Sequence, residues 1–124
     1  MSDKNYEEQS LAAARAAIAK GWRDPESLRE LLIWTTSKST AEIVEGYFAK
    51  HRGEPALLEA LITIAEEGED AGDTPWAAAN ELEEFSAELL RPHVSRLEAL
   101  SQLPWMYLSD PAVRALRKVG VSAV

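Results

Sequence analysis

Apolar side chains recur at spacings of three and four residues along most of the chain. The clearest segment follows residue 55, where five of them fall at offsets 0, 1, 4, 5 and 8: Leu57, Leu58, Leu61, Ile62 and Ala65. These offsets place all five on one face of a helix. A half-buried strand would instead alternate apolar and polar residues. The pattern therefore predicts an all-α fold.

Proline and glycine residues divide this pattern into about seven short segments of helical length. Asp24 with Pro25, and Thr74 with Pro75, combine an N-cap side chain with a proline in the first helical turn, where its missing N–H is harmless. Gly21 follows the first apolar segment, where a left-handed residue can end a helix. The predicted helices cover about residues 5–20, 25–36, 40–52, 55–67, 75–90, 93–103 and 111–119.

Two arrangements of these helices remain open. Asp24 and Pro25 precede a helix in which an apolar residue, an arginine and a leucine follow, and the same order follows Asp110 and Pro111. Residues 109–120 resemble HEAT-type repeats, whose helices often begin with Asp-Pro, and that resemblance implies a short stack of helical hairpins. Since a cap followed by proline also begins unrelated helices, an irregular helical bundle is the alternative.

Length and composition narrow the class of protein. A chain of 124 residues, 46% of them hydrophobic and 27% charged, fits one globular domain over residues 1–124. No cysteine is present, which excludes disulfides, thiolate metal sites and a cysteine nucleophile. The longest apolar run, near residues 31–34, is too short for a bilayer, and the first residues are polar and acidic. We expect a cytoplasmic protein without membrane contact.

The net charge of −8 is concentrated in the middle of the chain. Residues 1–52 contain eight acidic and eight basic residues, whereas residues 91–124 contain two acidic and five basic ones. Residues 53–90 contain eleven carboxylates and no lysine or arginine. Such a segment is typical of a docking surface for a cationic partner, because a concentrated field speeds encounter and rejects like-charged molecules. An acidic surface that serves only solubility is the alternative.

Helical spacing predicts how these carboxylates are displayed. Glu81, Glu84 and Glu88 lie at offsets 0, 3 and 7 of the predicted fifth helix and should form one outward stripe. Trp76, in the first turn of that helix, is either an interface anchor or a side chain that packs inward. The fourth helix, the fifth helix and the loop between them form the predicted acidic hairpin. Its candidate partner-binding residues are Glu59, Glu66, Glu67, Glu69, Asp70, Asp73, Trp76, Glu81, Glu84 and Glu88.

The sequence contains no recognisable catalytic, metal or cofactor motif. His51 and His93 lie at helix ends without a surrounding signature, so we expect neither to be catalytic. The loop from Glu67 to Asp73 has oxygen ligands, but the twelfth place of an EF-hand template falls on Ala78, which cannot supply the bidentate ligand. We predict no enzyme activity, no cofactor and no bound metal. Nucleic acid should be repelled by the acidic hairpin.

In its small size, acidity and lack of cysteine, the chain resembles the immunity proteins that bacteria pair with secreted nuclease or other toxin domains. The resemblance implies a helical inhibitor that covers the basic cleft of a toxin with its acidic hairpin. A helical adaptor is an alternative, with a HEAT-like concave face or a basic cluster at Arg114, Arg117 and Lys118. Nucleic-acid mimicry against a DNA- or RNA-binding protein is another, and a small-molecule enzyme or sensor is a further one. The sequence leaves the oligomeric state open.

Overall fold

The computed structural model describes residues 3–35, 37–68 and 74–120, with side chains from residue 5 onward. These ranges form eight α-helices and contain no β-strand, so the all-α prediction is confirmed. The chain divides into two compact units, Met1–His51 and Arg52–Val124. The prediction of a single domain over residues 1–124 stays a prediction.

The first unit consists of three helices, α1 (Asp3–Lys20), α2 (Pro25–Trp34) and α3 (Ala41–His51). α1 ends as predicted at Gly21, whose φ of +93° costs glycine little. α2 begins at the predicted cap, where the Asp24 carboxylate accepts the Ser27 N–H at 3.0 Å. The apolar core of this unit comprises Ala14, Ala17, Trp22, Leu28, Leu31, Leu32, Val44 and Phe48.

A tyrosine hydroxyl fixes the turn between α1 and α2 against α3. Trp22 is buried in this turn, and its backbone N–H donates to the Tyr47 hydroxyl at 2.8 Å. A buried backbone N–H needs a partner, because leaving it without one costs about as much as a lost hydrogen bond. Tyr47 thus connects sequence-distant parts of the first unit.

The second unit contains five helices. They are α4 (Pro55–Ala65), α5 (Thr74–Leu82), α6 (Ala87–Leu90), α7 (Val94–Ser101) and α8 (Met106–Val119), with a 3₁₀ turn at Arg91–His93. α5 packs on both α4 and α8, and α7 also packs on α8. The five apolar residues predicted to share one face of α4 are all fully buried, which confirms that prediction.

The prediction of one continuous helix over residues 75–90 is wrong. α5 ends at Leu82, and Ser86 begins the short helix α6 by accepting the Leu89 N–H on its hydroxyl at 3.2 Å. Lys118 of α8 donates to the Glu83 carbonyl at 2.8 Å. A continuous helix would direct that carbonyl to the N–H four residues later. A cap from within the segment and a cation from α8 therefore favour the break.

The prediction that Asp110 and Pro111 begin the last helix is also wrong. α8 begins at Met106, so this pair lies inside the helix, and Pro111 is buried. The apolar face explains the earlier start, because Leu108 lies one turn before Ala112 and both are fully buried. The Asp-Pro pair that carried the HEAT resemblance at residues 109–120 is therefore not a helix start.

We expect Tyr47→Phe to lower the free energy of unfolding by about 1 to 3 kcal/mol, because the backbone N–H of the buried residue Trp22 loses its acceptor. Urea unfolding followed by circular dichroism measures the change. Tyr6→Phe is the matched control, since the Tyr6 side chain is 61% exposed. Equal stabilities of the two variants would contradict this role of the Tyr47 hydroxyl.

Candidate functional site

The structure describes seven of the ten candidate partner-binding residues. Glu69, Asp70 and Asp73 lie outside the described residues. The other seven differ in their surroundings: Glu59, Glu66 and Glu81 are paired with arginines of the same unit, and Glu81 is also buried. The acidic hairpin is therefore not a uniform face within the described part of the chain.

Arg96 of α7 binds two of the candidate carboxylates on α4 and at its end. Its Nη1 contacts both carboxylate oxygens of Glu59 at 2.7 Å. Its Nε and Nη2 donate to the two oxygens of Glu66, at 2.9 and 2.5 Å. The planar guanidinium thus binds two carboxylates that lie about two helical turns apart. Arg96 thus connects α4 and α7.

The same contacts shift the titration of the residues involved. The hydrogen bond from Arg96 lowers the pKa of Glu66, outweighing a smaller opposite effect of burial. In turn, the hydrogen bonds to Glu66 and Glu59 raise the pKa of Arg96. The Nδ1 atom of His93 lies 3.6 Å from a Glu59 oxygen. Glu59 and Glu66 are therefore already engaged within the second unit, although the side chain of Glu59 is 53% exposed.

Glu81 does not lie on an outward stripe. It is only 5% exposed, and one of its oxygens accepts Arg52 Nη2 at 2.9 Å. Glu88 belongs to α6, whereas Glu81 belongs to α5, so the predicted stripe of Glu81, Glu84 and Glu88 on one helix is wrong. The end of α5 at Leu82 separates these residues. Glu81 instead serves as the buried partner of Arg52.

A third arginine binds next to the end of α5. Arg114 of α8 donates from Nε to a Glu83 oxygen at 2.8 Å, and its Nη2 lies 3.4 Å from the Asn80 side-chain oxygen. Lys118 binds the Glu83 carbonyl. All three cations of the basic cluster suggested by the sequence are exposed, but Arg114 and Lys118 are bound to Glu83, directly after α5. This weakens the reading of that cluster as a partner surface.

The exposed candidates are Glu59, Glu66, Glu67, Trp76, Glu84 and Glu88, of which Glu59 and Glu66 bind Arg96. Trp76 is 37% exposed, so its ring is not packed fully inward. It lines an open groove of about 200 Å³ between α5 and α8. The other groove residues include Asn80 from α5 and Met106, Tyr107, Asp110 and Arg114 from α8.

Sequence reasoning missed this groove and the three arginines that pair with the acidic segment. Met106 is 70% exposed, and the aromatic stretch at residues 105–108 was the only signal for it. It lies between the helices that the sequence predicts over residues 93–103 and 111–119, so the pattern predicts no site there. The arginine pairs had no local signal, since each joins residues about 30 positions apart.

The described residues contain no cluster of three or more acidic or histidine side chains that could hold a metal ion. Much of the loop tested against the calcium template lies outside the described residues. Among the described helices, none is both long enough and apolar enough to cross a bilayer. Comparison of the chain with family models, curated proteins and solved structures found no match.

We expect Arg96→Met to lower the free energy of unfolding by up to about 1 kcal/mol at neutral pH, because these groups are partly exposed to solvent. The folded-state pKa of Glu66 is lowered, so the contribution is complete above the ordinary glutamate pKa of about 4.3. It disappears as the pH falls through the lowered pKa. Urea unfolding of both proteins from neutral pH to about pH 2 measures the difference.

Arg91→Met is the control for this experiment, because Arg91 is an exposed arginine of the same unit. Its stability should stay within about 0.5 kcal/mol of the parent protein. A stability difference between Arg96→Met and the parent that did not shrink in acid would contradict the ionic role of Arg96.

We expect a larger effect at the buried pair. Arg52→Met should lower the free energy of unfolding by about 3 kcal/mol, because it removes the cation beside a buried carboxylate. Adding Glu81→Gln should recover part of the loss, since the buried side chain is then neutral. Chemical unfolding of both single variants and the double variant gives the coupling energy. Glu84→Gln is the exposed control, and additive losses would contradict the pair.

Proposed function

We propose that this protein is a non-enzymatic inhibitor that binds a basic protein. The single observation that carries the proposal is the exposure of Glu84 and Glu88 in a segment, residues 53–90, that contains no lysine or arginine. Arginines from outside the segment pair with Glu59, Glu66, Glu81 and Glu83. The carboxylates around residues 84–88 stay at the surface, where they can meet a cationic partner.

Because of these internal pairs, the proposed contact surface is smaller than the whole acidic hairpin. A partner arginine would have to displace Arg96 to bind Glu59 or Glu66 in the same bidentate way. Glu81 is buried and cannot reach a partner without unfolding the end of α5. We therefore place the contact surface on the end of α5, on α6 and on Trp76. Of the ten candidate residues predicted from the sequence, this surface includes Trp76, Glu84 and Glu88.

The finer proposal is an immunity protein that neutralises a basic toxin domain in the cytoplasm of the bacterium that makes it. The mechanism would be occlusion, with carboxylates bound where the toxin holds the phosphates of its substrate. Trp76 supports this proposal because an exposed tryptophan within the acidic segment of residues 53–90 suits an interface anchor. A nucleic-acid mimic would also place carboxylates at phosphate-binding positions. The identity of the partner distinguishes an immunity protein from such a mimic.

The test begins with affinity capture from the source cell and purification of the captured protein. We expect one stoichiometric cationic partner, with an association rate that falls as salt increases. The double variant Glu84→Lys/Glu88→Lys should slow association at least about tenfold at low salt. Stopped-flow fluorescence measures the rates.

Glu7→Lys/Glu8→Lys is the matched control, because it makes the same change of net charge at two exposed residues of α1. Its association rate should change much less than that of the variant at Glu84 and Glu88. Equal rates for the two double variants would show that only net charge matters and would overturn the proposed surface. Inhibition of the captured protein's activity would support the immunity role, and binding without inhibition would contradict it.

A further inference from the structure

The groove between α5 and α8 combines exposed apolar groups with a carboxylate. Trp76 lies in the first turn of α5, and Met106 and Tyr107 form the start of α8. Trp76 is 37% exposed and Met106 is 70% exposed. Both side chains line the same concavity, whose exposed lining is mainly polar, so they offer apolar contact beside polar groups. Asp110, one turn further along α8, is exposed at the same groove.

The charges around the groove favour a cation. Arg114 also lines it, but its guanidinium binds Glu83 through Nε at 2.8 Å. Arg114 and Glu83 offset one another, so the formal charge of these two residues and Asp110 together is −1. An anionic ligand would meet the Asp110 carboxylate and would have to compete with Glu83 for Arg114. A cationic ligand faces neither cost.

The size of the groove indicates one side chain as its ligand. Its volume of about 200 Å³ lies below the roughly 300 to 1,000 Å³ of pockets for drug-sized small molecules. A guanidinium can stack on the indole of Trp76 and bind a carboxylate with two parallel hydrogen bonds. The side chain of Met106 is flexible enough to cover an aliphatic stem. Lysine offers only a point charge and a more tightly held hydration shell.

We propose that this groove receives an arginine side chain of the basic partner, with Trp76 against the guanidinium plane and Asp110 as its counter-ion. The inference rests on the proposed function, because it names the chemistry by which the basic partner is recognised. It adds Asp110, Met106 and Tyr107 to the contact surface.

The direct test uses the isolated full-length protein and small probes. N-acetyl-arginine amide is titrated while the tryptophan indole N–H signals and the methionine methyl signals are followed by NMR. The Trp76 signal is assigned with Trp76→Phe. We expect saturable shifts of the Trp76 and Met106 signals, with the other indole signals unchanged. N-acetyl-citrulline amide, which has the same shape without the charge, should produce no saturable shift, and N-acetyl-lysine amide should bind more weakly.

Variants separate the charge from the apolar contact. Asp110→Asn should weaken binding of the arginine probe about tenfold, the effect expected for one charge-assisted hydrogen bond. Glu98→Gln is the control, because Glu98 is an exposed carboxylate of α7. It should leave the affinity for the probe unchanged. Equal binding of the citrulline probe, or an unchanged affinity in Asp110→Asn, would overturn the proposal, because the groove would then not recognise the guanidinium charge.

The captured partner then distinguishes failure of this inference from failure of the proposed function. Asp110→Asn and Trp76→Phe should each speed dissociation of the complex, whereas Glu84→Lys/Glu88→Lys should mainly slow its formation. If only the change at Glu84 and Glu88 affects the complex, the arginine groove is wrong and the acidic surface stands. If Trp76→Phe and Asp110→Asn act on the complex but the charge reversal does not, the acidic surface is wrong and the groove stands.

Discussion

The second unit depends on arginines that bring positive charge to a segment with no lysine or arginine of its own. Residues 53–90 contain eleven carboxylates and no basic residue. Arg52, Arg96 and Arg114 each reach into this segment from outside it. Like charges on neighbouring helical turns destabilise a helix, and these pairs offset part of that repulsion. They also join parts of the unit that the sequence separates by about 30 residues.

The three arginines contribute in different ways. Arg96 and Arg114 act near the surface, where an ion pair contributes little to stability but can fix how two helices meet. Arg96 connects α7 to α4, and Arg114 connects α8 to the end of α5. Arg52 instead accompanies a carboxylate that is almost fully buried. A buried pair of this kind is costly to break and contributes little beyond a well-packed apolar pair.

The contact surface proposed for a partner is what these pairs leave exposed. Glu84 and Glu88 lie beyond the end of α5, where the chain breaks before α6. The groove arises because the first turn of α5 lies beside the first turns of α8, which brings Trp76 close to Met106 and Asp110. The Glu83 contacts of Arg114 and Lys118 hold the other end of the same two helices together. Stability and the proposed recognition thus use the same pair of helices.

The sequence by itself determined the all-α class, the cap at Asp24, the end of α1 at Gly21 and the buried face of α4. Each of these follows from interactions within a few residues, which local patterns record. The pairing of Glu81 with Arg52, the break at Leu82 and the start of α8 at Met106 were decided only by tertiary structure. The carboxylate spacing at residues 81, 84 and 88 is compatible with an outward stripe. Which glutamate is buried depends on the position of an arginine elsewhere in the chain. Helical periodicity carries no information about the position of that arginine.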